Sequence, residues 1–297
     1  MLPLNRSFAF FVNPVSRDGY TFRQFQIAIK KIPVLLEASK IYQTSTVDNM
    51  LVELSSLPIS TVAVAVGGDG TVNMLAQVIL KEGKGRVMGV VPFGTGNAVA
   101  HQLGASSRKR AFEILISGQP LALDVMKTNH PDAPLALISF SCGFEATLLY
   151  HYARGRKTNR RIAGANAFLR TLGKANRHVV LKLDDESVLN EDNFFYNAGL
   201  YVIKKYAYGI NMNIEAQLDD GLAEFLVHKT ALSYWRDLLG AGAFGKPGKR
   251  EPIQRWKNAI FHAPDGLQCD GESISGGTVE LEVLPEALTF LEEKDDE

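Results

Sequence analysis

Three glycines and an acid follow an apolar run at Gly67-Gly68-Asp69-Gly70-Thr71. The residues before them, Thr61 to Val66, read as a buried strand, and Val72 to Lys81 after them reads as a helix. A strand, a glycine loop and a helix start, in that order, make a place to hold phosphate. The loop lets a ligand approach the backbone closely, and the helix N-terminus offers unpaired amides at the positive end of its dipole. A bare carboxylate among phosphates is repelled, so Asp69 points to a divalent cation between them, as Mg²⁺ stands in nucleotide sites. A plain strand-to-helix turn needs neither the third glycine nor the acid.

A second loop of the same design follows. Arg86 to Val91 reads as a strand, Pro92-Phe93-Gly94-Thr95-Gly96-Asn97 as its turn, and Ala98 to Leu103 as a short helix. Asn97 stands where an N-cap belongs, and Thr95 adds a hydroxyl. Loops on successive strands of one sheet lie side by side, at the strand ends where open α/β sheets bind ligands.

Together these two loops resemble the diacylglycerol kinase catalytic-domain family, which includes bacterial lipid kinases and sphingosine kinases. The resemblance runs along nearly the whole chain. Asn13-Pro14-Val15-Ser16 resembles the family's first nucleotide-contacting turn, and Thr44 a threonine after its second strand. Asp124 falls in the strand leaving the first domain, and Gly143-Phe144-Glu145-Ala146 at the start of a long family helix. Asp219-Asp220-Gly221-Leu222 resembles a metal-loop signature, and Asp270-Gly271-Glu272 the late catalytic acid motif.

The resemblance implies ATP and Mg²⁺ as cofactors and a lipid alcohol as acceptor. It assigns the nucleotide to Asn13, Pro14, Thr44, Gly67, Gly68 and Gly70, and also to Thr71, Asn73, Gly94, Thr95 and Asn97. It assigns metal to Asp69, Asp124, Asp219 and Asp220. By resemblance Glu272 is the general base with Asp270 beside it, and the sequence leaves both as candidates. Two departures stand out. Ala98 occupies a position that is aspartate in many bacterial diacylglycerol kinases, which makes the second loop more like sphingosine-kinase-like members. Arg17-Asp18 precede Gly19 where a glycine often follows the serine.

Composition sets the outer limits. Thirty-two basic and 32 acidic residues cancel, so no global field draws the chain to nucleic acid or to an anionic membrane. Any contact with a membrane-borne lipid must be local and peripheral. No apolar run approaches a membrane span, and Phe8 to Val12 is too short for a signal-peptide core. Cys142 and Cys269 have no metal spacing, which fits small buried residues in a reducing cytoplasm. A homodimer is compatible with all of this.

The elements that must position these residues fall into two domains. Strands at Ser7 to Val12, Lys40 to Gln43, Thr61 to Val66 and Arg86 to Val91 alternate with helices, which predicts a doubly wound parallel α/β sheet over residues 1–123. From 124 to 284 the pattern is strand-dominated and predicts a mainly antiparallel β-sandwich that receives the lipid. That region contains one long helix from about Glu145 to Lys174. Residues 285–297 are expected to pack back on the first domain, with the acidic end from Glu292 frayed. The acid-rich Asp184 to Asp192 reads as a solvated turn, and Asp124, in an apolar context, needs donors or a cation.

Arg154, Arg156, Lys157, Arg160 and Arg161 share a helical face that is either solvated or set against anionic headgroups. Trp235 and Phe244, near Lys246, Lys249 and Arg250, read as core or as an interfacial anchor on a mobile glycine-rich loop; Trp256 reads as core.

Other functions fit less well. NAD kinases share the first glycine loop, but the second loop and Asp-Gly-Glu favour the lipid branch. A dinucleotide oxidoreductase lacks its third glycine after Gly94-x-Gly96, and there is no P-loop Gly-x-x-x-x-Gly-Lys. Ala98 leaves room for a non-catalytic lipid- or nucleotide-binding regulator, but Asp69, Asp124 and Glu272 together speak against one.

Overall fold

A computed structural model describes residues 6–14, 20–83, 85–155, 160–171, 179–190, 192–212, 215–247 and 253–294. The chain divides into two compact units. One comprises Met1–Leu123, Ala207–Gly209 and Glu286–Glu297, and the other Asp124–Tyr206 and Ile210–Pro285.

In the first unit the strands β1 (Phe8–Val12), β2 (Ser39–Gln43), β3 (Val62–Gly67) and β4 (Val87–Pro92) pair in parallel, in the order β2-β1-β3-β4. Every residue of β1 and β3 is buried, so both read as unbroken apolar runs rather than alternating ones, as strands covered on both faces must. The helices are α1 (Tyr20–Ile29), α2 (Pro33–Glu37), α3 (Val47–Ser55), α4 (Asp69–Glu82), α5 (Ala98–Gln102) and α6 (Arg108–Ser117). Thr46 caps α3 by accepting from the Asn49 amide at 3.3 Å, and Ser107 caps α6 by accepting from Arg110 at 3.2 Å. Gly83 closes α4 in the left-handed conformation.

The second unit begins within β5 (Gln119–Thr128) and continues through β6 (Leu135–Ala136) and β7 (Ser139–Gly143) to α7 (Phe144–Gly155) and α8 (Arg160–Thr171). Strands β8 (Val180–Leu183), β9 (Glu186–Leu189), β10 (Asn197–Tyr201), β11 (Lys205–Tyr206), β12 (Ile210–Asn211) and β13 (Ala223–His228) precede α9 (Ala231–Phe244). After it come β14 (Gln254–Trp256), β15 (Asn258–Ala263), β16 (Leu267–Cys269), β17 (Glu272–Ile274) and β18 (Gly277–Glu292). One antiparallel sheet runs β14-β13-β10-β7-β16-β17. The start of β18 pairs with β15, then β8 and β9, all antiparallel. The two sheets make a sandwich, and its core holds Phe140 against Phe261 with ring centres 6.0 Å apart. Trp256 is fully buried, as expected for core.

Several elements differ from the sequence expectation. Among the described residues the expected single helix from Glu145 to Lys174 is two helices, α7 and α8, that pack on each other, and Lys174 lies outside them; a Cβ on Gly155 would lie 3.0 Å from that of Ala163. Residues 231–244 form a helix rather than a mobile loop. Its start is fixed by a capping box in which Thr230 and Ser233 satisfy each other's backbone groups, and Gly245 ends it. Trp235 packs its ring 5.3 Å from both Phe144 and Tyr234, whereas Phe244 is 84 % exposed.

The last strand continues beyond Leu284 to Glu292, and Thr289 and Phe290 pair in parallel with Val87 and Met88 of β4. Asp184 and Asp185 make the tight β8–β9 turn with positive φ, and the Asp184 carboxylate also accepts from the amides of Lys257 and Asn258. Val15 to Gly19, Arg156, Lys157, Glu191, Lys249, Arg250 and residues 295–297 lie outside the described residues, as do the side chains of Arg160 and Arg161.

Arg86 lies just before β4 and is buried to 1 % exposure. Its guanidinium meets Glu82 at 2.7 Å and 2.9 Å and donates to the carbonyls of Pro58, Thr61, Leu54 and Leu57. A buried cation so fully engaged fixes the end of α4 to the loop before β3. Arg86→Ala removes the buried cation beside Glu82 and should lower the unfolding free energy by about 3–5 kcal/mol. Urea denaturation followed by circular dichroism checks this as a lowered midpoint with an unchanged slope.

Candidate active site

The two glycine loops touch. Parallel pairing sets Gly67 opposite Pro92, and the Phe93 amide donates to the Gly67 carbonyl at 2.8 Å. A Cβ on Gly94 would fall 2.5 Å from the Gly68 Cα and 2.7 Å from the Asn97 Oδ1, so no side chain fits there without moving backbone. Gly67 is constrained by Thr71, whose buried side chain occupies the space a Cβ would need. Gly70 is different: it is exposed, and a side chain added there would meet nothing within 4 Å. Its bareness leaves the mouth of the loop open and answers no packing demand of the protein.

Asn97 sits in the N-cap position with φ 48°, but its side chain does not cap α5. Instead its Oδ1 accepts from the Gly94 amide at 2.9 Å and its Nδ2 donates to the Gly94 carbonyl at 3.1 Å, closing the loop on itself. The cap comes from the other loop: the Val99 amide in the first turn of α5 donates to Asp69 Oδ1 at 3.2 Å. Asp69 thereby ties the two loops together. Burial holds its carboxyl above the ordinary carboxylate range, outweighing the backbone amides of Val99, Ala98 and Asn97 that act the other way.

The remaining first-unit residues fall around these strand ends. Asn13 and Pro14 follow β1, and Thr44 follows β2, buried, with its amide on the Val12 carbonyl at 3.2 Å. Asn73 lies on α4 and accepts from Gln77 at 2.8 Å. Thr95 is exposed at the tip of the second loop. The 3₁₀ turn Ala207–Gly209 belongs to the same unit; the Tyr208 amide donates to the Gly96 carbonyl at 3.0 Å. No residue pattern in the sequence marked that segment as part of the first unit.

In the second unit, Asp270-Gly271-Glu272 forms the β16–β17 turn, with Asp270 at φ 48° and Gly271 at φ 84°. The Asp270 carboxylate accepts from the amides of Leu137, Ile138 and Ser139 at 2.8, 2.8 and 3.1 Å. Three amides on one carboxylate make Asp270 an anchor for the turn, whereas Glu272 is exposed. Asp124 is buried and meets a donor, the Gly221 amide, at 2.7 Å. Asp220 accepts from the Leu222 amide at 3.1 Å and faces Arg255 at 3.6 Å, and Asp219 is exposed. Among the described residues no three His, Cys, Asp or Glu side chains are spaced to hold a metal ion by themselves.

In the sequence Glu145 stands only within the motif Gly143-Phe144-Glu145-Ala146, and nothing there marks Ser141 or Gln268. The available signal for Glu145 was a lone acid, directly after Gly143-Phe144, in the otherwise uncharged run from Ile138 to Leu149.

Residues 7–128 match the family profile described as "Diacylglycerol kinase catalytic domain". A protein of Enterobacter sp. named "Probable lipid kinase YegS-like" is 23% identical over 298 residues, covering 93% of both chains. A Klebsiella pneumoniae protein of the same name is 23% identical over 249 residues, covering 80% of this chain and 79% of that one. A solved structure of a diacylglycerol kinase from Bacillus anthracis superposes with a TM-score of 0.68 at 17% identity, covering 97% of both chains, which establishes the shared fold.

A raised carboxyl pKa means that the native state binds the Asp69 proton more tightly than the unfolded state does. Its contribution to stability is therefore present below the unfolded carboxylate pKa and lost as pH rises through the folded one. In Mg²⁺-free buffer at pH 7, Asp69→Asn, which keeps an acceptor for Val99 and removes the buried charge, should be at least as stable as the parent. The difference should shrink as pH falls through the folded Asp69 pKa, read as urea midpoints across the acidic range.

Proposed function

We propose, from the match of residues 7–128 to the diacylglycerol kinase catalytic-domain profile and the likeness along the chain to proteins named probable lipid kinase, that this protein is an ATP-dependent lipid kinase. It transfers the γ-phosphoryl group to the hydroxyl of a lipid alcohol such as a diacylglycerol or a sphingoid base. The observation that carries this reading is the contact of two bare glycine loops at adjacent strand ends, with the Asp69 carboxylate tying one to the other.

Phosphoryl transfer asks little covalent chemistry of a protein. It needs in-line positioning, charge compensation and a base for the hydroxyl proton. In this reading the loop amides at Gly68 to Thr71 and at Gly94 to Asn97 hold phosphate oxygens, and the open Gly70 admits them. Asn13, Pro14, Thr44 and Asn73 line the nucleotide. Mg²⁺, when bound, neutralises charge on the transferring phosphoryl group. Asp69 fits that ion: it is a partly buried carboxylate above its ordinary pKa range, and a lone protein oxygen donor suits a cation that keeps phosphate and water as its other ligands. Asp124, Asp219 and Asp220 are the candidates for a structural cation in the second unit, with Asp124 and Asp220 already engaged by backbone amides.

Glu272 takes the proton from the lipid hydroxyl, because it is exposed while Asp270 is occupied by three amides. The lipid is met at a membrane surface by peripheral contact. Leu232, Leu239 and Phe244 stand exposed on α9 and supply apolar side chains for it. Among the described residues no helix is long and apolar enough to cross a membrane. Buried, unbridged Cys142 and Cys269 suit a reducing cytoplasm.

Labelled ATP and Mg²⁺ incubated with the protein and diacylglycerol, sphingosine, ceramide, phosphatidylglycerol or NAD test the reading. Label in a lipid is the expected result, and label in NAD alone would overturn it. Asp69→Asn should abolish turnover with the fold intact. Glu272→Gln should lower kcat by about 10²–10⁴-fold with little change in the KM for ATP. A defect confined to ATP affinity would remove Glu272 from the role of base.

A further inference from the structure

Behind the Asp270-Gly271-Glu272 turn lies a buried polar chain that the reaction as described does not use. Antiparallel pairing sets Gln268 of β16 directly opposite Ser141 of β7. The Gln268 Nε2 donates to Ser141 Oγ at 2.8 Å and to Ser139 Oγ at 3.0 Å, and its Oε1 accepts from the Gly271 amide at 2.9 Å. Ser141 Oγ in turn donates to Glu145 Oε2 at 2.7 Å. Ser139, Ser141, Glu145 and Gln268 are all buried.

The direction of this chain is set at both ends, by the Glu145 carboxyl oxygen that accepts from Ser141 and by the Gly271 N–H, which can only donate. The Ser141 hydroxyl gives its one proton to Glu145 Oε2. The remaining capacity of the Ser141 oxygen then accepts from the amide nitrogen of Gln268, which leaves the amide oxygen facing the Gly271 N–H. A reversed amide would set a carbonyl against two hydroxyl oxygens, one of them already committed, and would turn an NH₂ group toward the Gly271 amide. Glu145 is itself held in place. The Tyr234 hydroxyl donates to its Oε1 at 3.0 Å and Tyr201 reaches the same oxygen at 3.4 Å, while the Glu145 amide donates to Asn197 Oδ1 at 3.1 Å. Burial, reinforced by the Glu145 charge, pushes the Tyr234 phenol well above its ordinary pKa, so it stays a donor.

We infer that Glu145, through Ser141, and Gln268 directly, are positioning residues that fix the Gly271 amide and with it the direction in which Glu272 leaves the turn. Asp270 anchors the turn from one side, and the Gln268 carbonyl anchors it from the other. A glycine with φ 84° between these two anchors has no side chain to hold it, so its orientation depends on its amide. This role rests on the reading of Glu272 as the base.

The test pairs a local measurement with a kinetic one. Ser141→Ala removes the hydroxyl that orients Gln268, and Glu145→Gln keeps the shape while removing the fixed acceptor. In both, hydrogen exchange at the Gly271 amide should quicken by about tenfold, the loss of one hydrogen bond, while amides of β3 in the first unit keep their protection. kcat for lipid phosphorylation should fall by a similar factor of about ten with the KM for ATP unchanged. Should Glu145→Gln fail to fold, Ser141→Ala carries the test, since it deletes a single hydroxyl. Unchanged exchange at Gly271 overturns the inference, and so does faster exchange with parental kcat. Faster exchange in a protein whose parent transfers phosphate to no lipid would sink the kinase reading and leave the anchoring of the turn standing.

Discussion

The paired loops at the strand ends of the first unit depend on the approach of two backbones that tolerate no side chain between them. Gly68 and Gly94 meet at the ends of adjacent parallel strands, and a single methyl on Gly94 would collide with main chain and with the Asn97 carboxamide. Everything local follows from that contact. Phe93 can donate to the Gly67 carbonyl, Asn97 can fold back on Gly94, and the Asp69 carboxylate can reach the Val99 amide. The acid that would engage a cation is thus the same group that fixes one loop to the other. Burial keeps it reluctant to ionise, and a bound cation would relieve that penalty on its charge.

The second unit holds its acids by the opposite means. Asp270 is saturated with amides, and Glu145 is ringed by hydroxyls, so each has its place fixed by donors. Glu272 is left exposed at the end of the turn they brace. Buried carboxylates satisfied in this way confer direction, because an acceptor-only group forces the polarity of every hydroxyl and amide linked to it.

Much of this was legible in the residues. Apolar runs at Phe8 to Val12 and Val62 to Val66 pointed to the parallel sheet, and the glycines marked both loops. The family profile over residues 7–128 and the shared fold agree with the resemblance read from those motifs. What was hidden has physical reasons. A helix capped by Thr230 and Ser233 was obscured by glycines at 240, 242 and 245, which weigh against helix in a local reading although packing of Tyr234 and Trp235 overrides them. The described helices α7, to Gly155, and α8, from Arg160, flank a basic run whose spacing in the sequence also fits one continuous helix. Asn97 has the right residue type for a cap, but a positive φ turns its side chain onto Gly94, and the cap arrives from Asp69, thirty positions before Val99. Hydrogen bonds across such separations have no local signature, which is why Gln268, Ser141 and Glu145 emerge only with the fold.

Calorimetric titration of Mg²⁺ and ATP into Gly94→Ala beside the parent protein asks directly whether nucleotide lies on these loops. The loop contact is the proposed phosphate cradle, and a methyl on Gly94 must displace the loop backbone while the buried strands beneath keep their pairing. The variant, checked as folded by circular dichroism, should bind at least about tenfold more weakly, an effect on the order of 1.4 kcal/mol. Equal affinity in the two proteins would show that nucleotide does not lie on these loops and would contradict the account.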